Sequence, residues 1–236
     1  MLLKSCTMCN PQSIEFVRSA IRAEDVRGCR VLEVGSFDYN GSARRIVEGF
    51  EPKEYLGVDI EPGPGVDEIC GVENLDERYG TNSFDLVICT EMLEHVADWR
   101  TAVWNLKSVV RPGGVLILTT RSRGFYFHGY PGDYWRFEIE DMRVIFADMD
   151  VEMLESDDPR SPGVFVRARR TGSPLSSADF TGLALYSIIR RHRLLRVQPV
   201  DVIAAKAMTR TKRVAHRVTP TRLKLLARKG INAVAH

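Results

Sequence analysis

The chain has 236 residues, 44% of them hydrophobic and 27% charged, with a formal net charge of +2. That is enough for one full core and an appendage, and too little for two ordinary domains. No run of about 18 apolar residues occurs, and "MLLKSCTMCNPQS" has too short an apolar run for a signal peptide. No spanning helix is therefore expected, and the location read from the sequence is cytoplasmic.

The small net charge hides an asymmetry. Residues 1–170 carry 20 Lys+Arg against 29 Asp+Glu, whereas residues 171–236 carry 13 against 2. The pattern is an acidic body with a basic tail.

Cys6 and Cys9 form a C-x-x-C, but no second Cys or His pair accompanies it, so it is weak evidence for zinc. Residues 11–27 have helical apolar spacing through Ile14, Phe16, Val17, Ala20 and Ile21. Residues 30–34 (RVLEV) predict a strand, 42–49 a helix with Ser42 as N-cap, and 54–60 (EYLGVDI) a second strand. A short strand follows near 66–70, then a fourth at 84–89 (FDLVIC). A helix within 91–110 is stopped by "RPGG", and 114–120 (GVLILTT) is the fifth strand. Cys29, Cys70 and Cys89 lie in or beside these runs and read as small buried hydrophobes. A helix at 138–147 precedes strands at 149–155 and 163–169, expected as a hairpin at a sheet edge. At "RRTGSPLSSAD" the composition shifts, which divides the chain into residues 1–170 and a basic helical extension, 171–236. Thr219 and Pro220 read as the cap and first turn of a basic helix over 220–229.

Strands alternating with helices predict a doubly wound α/β sheet, mostly parallel. In such sheets ligands sit beyond the carboxyl ends of the strands. The first strand ends at Glu33-Val34-Gly35 and the second at Asp59. Glycine admits close backbone approach, and a carboxylate at the second position accepts from a ribose diol. Together they predict a nucleoside-containing ligand. Phe37 stands where a dinucleotide fingerprint needs its second glycine, and acidic Glu33 suits a cationic ligand better than a phosphate.

Four segments, "VLEVGSFDYNGS", "YLGVDIEPG", "VENLDERYGTNSFDLVICTEMLEHV" and "VVRPGGVLILTT", stand in order and in register. Over about residues 28–170 the chain resembles the class I S-adenosylmethionine (SAM)-dependent methyltransferases. The resemblance implies a Rossmann-like sheet of seven strands with the last antiparallel. It implies that Glu33 and Gly35 face the methionine part of SAM, Asp59 the ribose, and the segment from Gly71 to Asn74 the adenine, with Thr90 and Glu91 beside the cofactor. The candidate cofactor set is Glu33, Gly35, Ser36, Phe37, Asp59, Ile60, Gly71, Val72 and Thr90. Two features depart from the family pattern: the first loop is longer, and Gly71 stands where an aspartate often holds the adenine amino group.

Methyl transfer to a hydroxyl requires removal of its proton by a base or a metal. "EMLEH" supplies Glu91, Glu94 and His95, one face of one turn if helical, and "YFHGYPGDYWRF" (126–137) adds His128, Asp133, Arg136 and six aromatics. Three readings stand. His95 or His128 is a general base; Glu91, Glu94, His95 and His128 hold Mg or Mn; or Glu94 and His95 only brace the fold. "EMLEH" resembles a pattern in metal-dependent small-RNA 2′-O-methyltransferases and one in ubiquinone-pathway O-methyltransferases. "DYWRF" resembles a segment of methyltransferases from polysaccharide and glycan pathways. The aromatic loop is expected to wall an acceptor pocket, with Trp135 stacking on a sugar; packing onto the body is the alternative.

The expected function is O-methylation of a small-molecule or glycan hydroxyl. A degenerate methyltransferase fold serving as a partner module, or an RNA methyltransferase, is the alternative. For the basic tail, three partners compete: the body or a second subunit, an anionic membrane surface, and nucleic acid, which lacks interleaved aromatics.

Overall fold

The computed structural model describes residues 11–38, 41–129, 132–176 and 178–218. In chain order the elements are α1 (Pro11–Ala20), α2 (Ala23–Val26), β1 (Arg30–Val34), α3 (Arg44–Glu48), β2 (Glu54–Asp59), β3 (Glu68–Ile69) and α4 (Leu75–Tyr79). There follow β4 (Phe84–Thr90), α5 (Trp99–Val109), β5 (Val110–Arg121), β6 (Trp135–Arg136), α6 (Ile139–Ile145), β7 (Asp150–Ser156) and β8 (Gly163–Arg169). Last come α7 (Ala178–Thr181), β9 (Leu185–Ser187), β10 (Arg193–Leu194) and α8 (Pro199–Val218).

Along the central strands successive side chains point to opposite faces. Val31, Leu86, Ile88, Val115 and Ile117 share a core with Phe16, Val17, Ala20 and Ile21. Leu32, Val34, Val87, Cys89, Leu116 and Leu118 share the other core with Trp99, Val103 and Leu106 of α5. Coverage on both faces is why these strands read as unbroken apolar runs. The seven-stranded sheet has the order β3-β2-β1-β4-β5-β8-β7. β8 is antiparallel to both β5 and β7, so six strands run parallel and one runs against them.

Two local expectations are corrected, and two are borne out in more detail. The first helix ends at Ala20 and the chain restarts as α2, rather than running through 11–27. The helix expected within 91–110 begins only at Trp99, where the Asp98 side chain accepts from the Thr101 amide (3.4 Å); Leu93–His95 is a separate 3₁₀ turn. β5 starts at Val110, and "RPGG" is taken up as a register shift opposite Phe84 and Leu86. The late hairpin lies at the sheet edge, as expected. β8, buried along nearly its whole length, inserts inside, and β7, with its exposed ends, takes the border.

The segment beyond residue 171 packs onto the rest. β9 pairs with β6, and with β10 they form a second, three-stranded sheet. Phe180, Leu185 and Ala205 enter the same core as α5. The Arg100 guanidinium donates to the carbonyls of Phe180 (3.3 Å), Leu183 (2.5 Å) and Leu195 (2.6 Å). Among the described residues no helix is long and apolar enough to cross a membrane. The C-x-x-C at Cys6 and Cys9 and the basic helix expected over 220–229 lie outside the described residues.

One buried ion cluster ties the N-terminal helices to the sheet. Arg167 on β8 is buried, pairs with Asp25 (2.9 Å) and Glu152 (2.6 Å), and donates to the Ala20 carbonyl (2.7 Å). Removing one member of a buried set strands its partners' charges. Arg167→Ala is expected to cost about 3 kcal/mol in urea unfolding, read as a lowered midpoint against wild type.

Candidate active site

The carboxyl ends of β1, β2 and β4 open into a cavity of about 450 Å³. Gly35, Phe37, Asp59, Ile60, Val72 and Thr90 line it, and so do Glu91, Met92, His95, His128 and Tyr134. Gly35 has φ +78°, and a Cβ there would stand 2.9 Å from Met92 Cβ and Cγ, so this position needs glycine twice over. Its amide and that of Ser36 both donate to the Val58 carbonyl (2.9 and 3.0 Å), which fixes the end of β1 against β2. Asp59 closes β2. Its carboxylate accepts from the amides of Phe37 (3.2 Å) and Glu61 (3.2 Å), one bond per oxygen, and it borders the cavity with lone pairs to spare. Ile60, Cys70 and Val72 form an apolar wall beyond it. Asn105 of α5 holds that wall by donating to the carbonyls of Val72 (3.0 Å) and Glu73 (2.8 Å).

Three expected cofactor residues lie elsewhere. Glu33 is buried, and its carboxylate accepts from the Ser42 hydroxyl (3.1 Å), the Ala43 amide (3.2 Å) and the Tyr55 hydroxyl. Burial pushes its pKa up, against those hydrogen bonds. It holds the first loop and the start of α3 from beneath and contributes nothing to the cavity wall. Ser36 is buried, and Gly71 faces an adjoining shallow hollow that shares Ile60, Cys70 and Glu73 with the cavity.

At the other end of the cavity two histidines meet a buried carboxylate. The rings of His95 and His128 pack edge to face, with centroids 4.7 Å apart. Nε2 of His95 lies 3.9 Å and Nε2 of His128 3.6 Å from the same Glu94 oxygen, Oε1. The other Glu94 oxygen accepts from the Thr120 hydroxyl (2.7 Å). On the far side of each ring Nδ1 is engaged: His95 Nδ1 donates to the Gly132 carbonyl (2.5 Å), and His128 Nδ1 stands 3.0 Å from Asp133 Oδ2. Asp133 is held by a two-pronged contact with Arg136 (2.5 and 2.9 Å). One ligand atom from each of Glu94, His95 and His128 falls within 4.8 Å of the others, a group that can hold a metal ion.

These contacts separate the two histidines electrically. Burial pushes His95 below the usual histidine value, against the pull of Glu94. Burial also opposes charge on His128, but the Asp133 and Glu94 carboxylates outweigh it and raise its pKa to about 9. Burial works to raise Glu94 as well, yet the His128 and His95 contacts bring it down to about 2.

Glu91 does not join this group. It sits at φ +54°, between β4 and the 3₁₀ turn, so Glu91, Glu94 and His95 do not share one helical face as expected. Its carboxylate turns to Arg121 and to the Ser13 hydroxyl (3.0 Å) of α1. Burial and the neighbouring Glu94 push its pKa up. The four-residue metal set becomes a three-residue one.

The aromatic loop divides in two. Tyr134, Trp135 and Phe137 are core residues, and the Trp135 indole donates to the carbonyls of Val96 (3.0 Å) and Ala97 (3.2 Å). Trp135 as a sugar-stacking wall is therefore corrected: it is fully buried in the core it shares with α5. Among the described residues of the loop Tyr126 is the exposed aromatic, stacked on Phe125 (centroids 4.6 Å) beside His128. Thr120, Arg121 and Asn105 were missed by sequence reading; a charged residue ending the apolar run "VLILTTR" was the available signal.

A methyltransferase-domain family model matches residues 14–160, and the chain belongs to that family. It is 29% identical over 126 residues to a ubiquinone biosynthesis O-methyltransferase of Vibrio atlanticus, covering 49% of this chain and 52% of the relative. It is 26% identical over 156 residues to a fatty-acid O-methyltransferase of Mycolicibacterium smegmatis, covering 61% and 52%. The chain thus spans about half the length of these curated relatives. Its fold matches the Burkholderia thailandensis 1,6-didemethyltoxoflavin-N1-methyltransferase, solved with its substrate and S-adenosylhomocysteine: TM-score 0.52, 16% identity, 67% of this chain and 78% of that one. A Mesorhizobium loti SAM-dependent methyltransferase matches at TM-score 0.51 and 16% identity, over 65% and 95%.

The His128 contacts carry a pH signature. Its pKa is raised in the folded state, so its contribution to stability is complete below about 6.5 and lost as pH rises through about 9. Urea unfolding at pH 6 to 10 is expected to show wild type losing stability over that window, with a flatter profile for His128→Gln.

Proposed function

We propose that this chain transfers the methyl group of SAM to a hydroxyl oxygen of a small-molecule or glycan acceptor, with His95 Nε2 taking the acceptor proton. One observation carries the reading. The Gly132 carbonyl holds the proton on His95 Nδ1, which leaves the Nε2 lone pair bare in the cavity. The O-methyltransferase names of the two curated relatives point the same way.

The chain's residues fit SAM by donor chemistry. Asp59 offers acceptors to a ribose diol, Ile60, Cys70 and Val72 an apolar slot for the base, and Gly35 a wall without a Cβ. When bound, the sulfonium supplies an activated methyl group and leaves as a neutral thioether. The protein then contributes alignment and proton removal. His128, held charged between Asp133 and Glu94, keeps Glu94 ionised and orients the His95 ring beside it.

A second reading rests on the convergence of Glu94, His95 and His128. Nδ1 partners on both rings are what metal-ligating histidines usually have. A divalent cation held there would lower the pKa of the acceptor hydroxyl.

Calorimetric titration of S-adenosylhomocysteine into wild type and Asp59→Ala tests the cofactor assignment. Binding weakened about tenfold or more in the variant is expected, as for loss of charged hydrogen bonds worth ~1.5–3 kcal/mol. No binding to wild type would favour a partner module. His95→Gln is expected to lower turnover by about 10²-fold or more and to leave S-adenosylhomocysteine affinity unchanged, followed as product release across a panel of hydroxylated acceptors. The same assay in chelator decides the metal: unchanged turnover rejects it, and loss restored by magnesium or manganese supports it.

A further inference from the structure

Helix α8 presents two unlike faces. Asp201, Ala205 and Thr209 point inward and are buried. Asp201 pairs with Arg190 (2.5 Å) and accepts from the Gln198 amide (2.9 Å), and the Thr209 hydroxyl lies 2.9 Å from both the Gly129 and Ala205 carbonyls. The outer face exposes apolar side chains beside the Thr211 hydroxyl. Val200 is 56% exposed, Ile203 69% and Met208 41%, and Leu195, in the turn before the helix, 53%. At 3.6 residues per turn, Val200, Ile203 and Ala207 fall within an arc of about 60°. Four of the eight large apolar side chains exposed among the described residues lie in these fourteen positions, 195–208. Scattered singly they would need no explanation; Val200 and Ile203 share one face of the helix, with Met208 about 80° to the side of Val200 and Leu195 in the turn before it.

The same segment is strongly basic. Residues 190–210 contain Arg190, Arg191, Arg193, Arg196, Lys206 and Arg210 against one acid, Asp201. Asp201 is taken by Arg190, and Arg193 reaches Asp141 on α6. Arg191, Arg196, Lys206 and Arg210 make no ion pair among the described residues. Lys206 and Arg210 follow the apolar arc along one flank, by helical spacing.

We propose that the outer face of α8 docks on an anionic membrane surface, with the helix lying in the plane of the bilayer. The apolar arc enters the boundary between headgroups and acyl chains, and the flanking cations meet lipid phosphates. This occupant satisfies both halves of the surface at once. A second copy related by a two-fold axis would set this basic segment against itself. Nucleic acid would satisfy the cations but leave the arc in water, with no Phe, Tyr or Trp in the helix to stack on a base.

The test is flotation of the full chain with vesicles of phosphatidylcholine alone and of phosphatidylcholine with phosphatidylglycerol. Binding only to the anionic vesicles, weakening as salt rises, is expected. The double variant Val200→Ser, Ile203→Ser leaves every charge in place and is expected to lose about tenfold or more in partitioning. Lys206→Gln with Arg210→Gln is expected to lower binding and flatten its salt dependence. Both pairs are exposed, and unchanged thermal melts would show that the fold is kept. Wild type remaining with the unbound fraction would overturn the proposal. So would serine variants that float as well as wild type, since charge alone would then suffice. A wild-type dimer that the serine pair dissociates, with no flotation, would assign the face to a second copy and overturn it equally.

Discussion

The candidate site is organised around one fully buried carboxylate, Glu94. A charge removed from water costs several kcal/mol unless surrounding groups compensate it. Here the compensation comes from three directions: the Thr120 hydroxyl at the end of β5, His95 on the same turn, and His128 on the loop after β5. Each of these groups needs its own support. The Gly132 carbonyl orients His95, Asp133 orients His128, and Arg136 holds Asp133. A chain of paired charges thus runs from the sheet through the loop, and each link sets the protonation of the next. The two histidines end with opposite tendencies: one is held neutral by burial, and the other is held charged by carboxylates on both sides.

That loop cannot support itself. Its Asp133–Phe137 segment is buried because the chain returns after residue 171 and lays β9 along β6, while the Ile188 amide donates to the Tyr134 carbonyl (3.0 Å). Thr209 of α8 bonds the Gly129 carbonyl, one residue beyond His128. The late segment is therefore part of what positions the catalytic candidates. A second network does the same on the opposite side. Arg121, buried at the end of β5, faces Glu91 and Asp157, and Ser13 of α1 completes the Glu91 carboxylate. The N-terminal helix and the end of the sheet both converge on the strand ends where the cavity opens.

The sheet was legible because its signals are local. Strand one ends at a glycine, strand two at an aspartate, and the apolar runs have strand length; the seven-stranded sheet with its last strand reversed was what the family resemblance implied. The cavity wall at Gly35, Phe37, Asp59, Ile60, Val72 and Thr90 was legible for the same reason: strand ends point where the topology sends them. Glu33 lies off the cavity wall, which the sequence did not show because a carboxylate at a strand end looks alike whether it faces a ligand or caps a loop. Only the approach of Tyr55 from β2 decides between them. Trp135 was misplaced because the core that buries it is assembled from segments far apart in the chain, among them α5 and Phe180.

What the sequence determined by itself is the alternating pattern, the glycine and carboxylate at the ends of the first two strands, and the supply of titratable groups in "EMLEH" and around His128. Those depend on periodicity and on residue chemistry, which act over a few positions. What only the tertiary structure decided is pairing: which carboxylate meets which histidine, which ring nitrogen is left bare, and which aromatic is covered. Such choices depend on distances of a few ångströms between segments far apart in the chain. The energy of a buried charge depends on its neighbours, not on its place in the sequence.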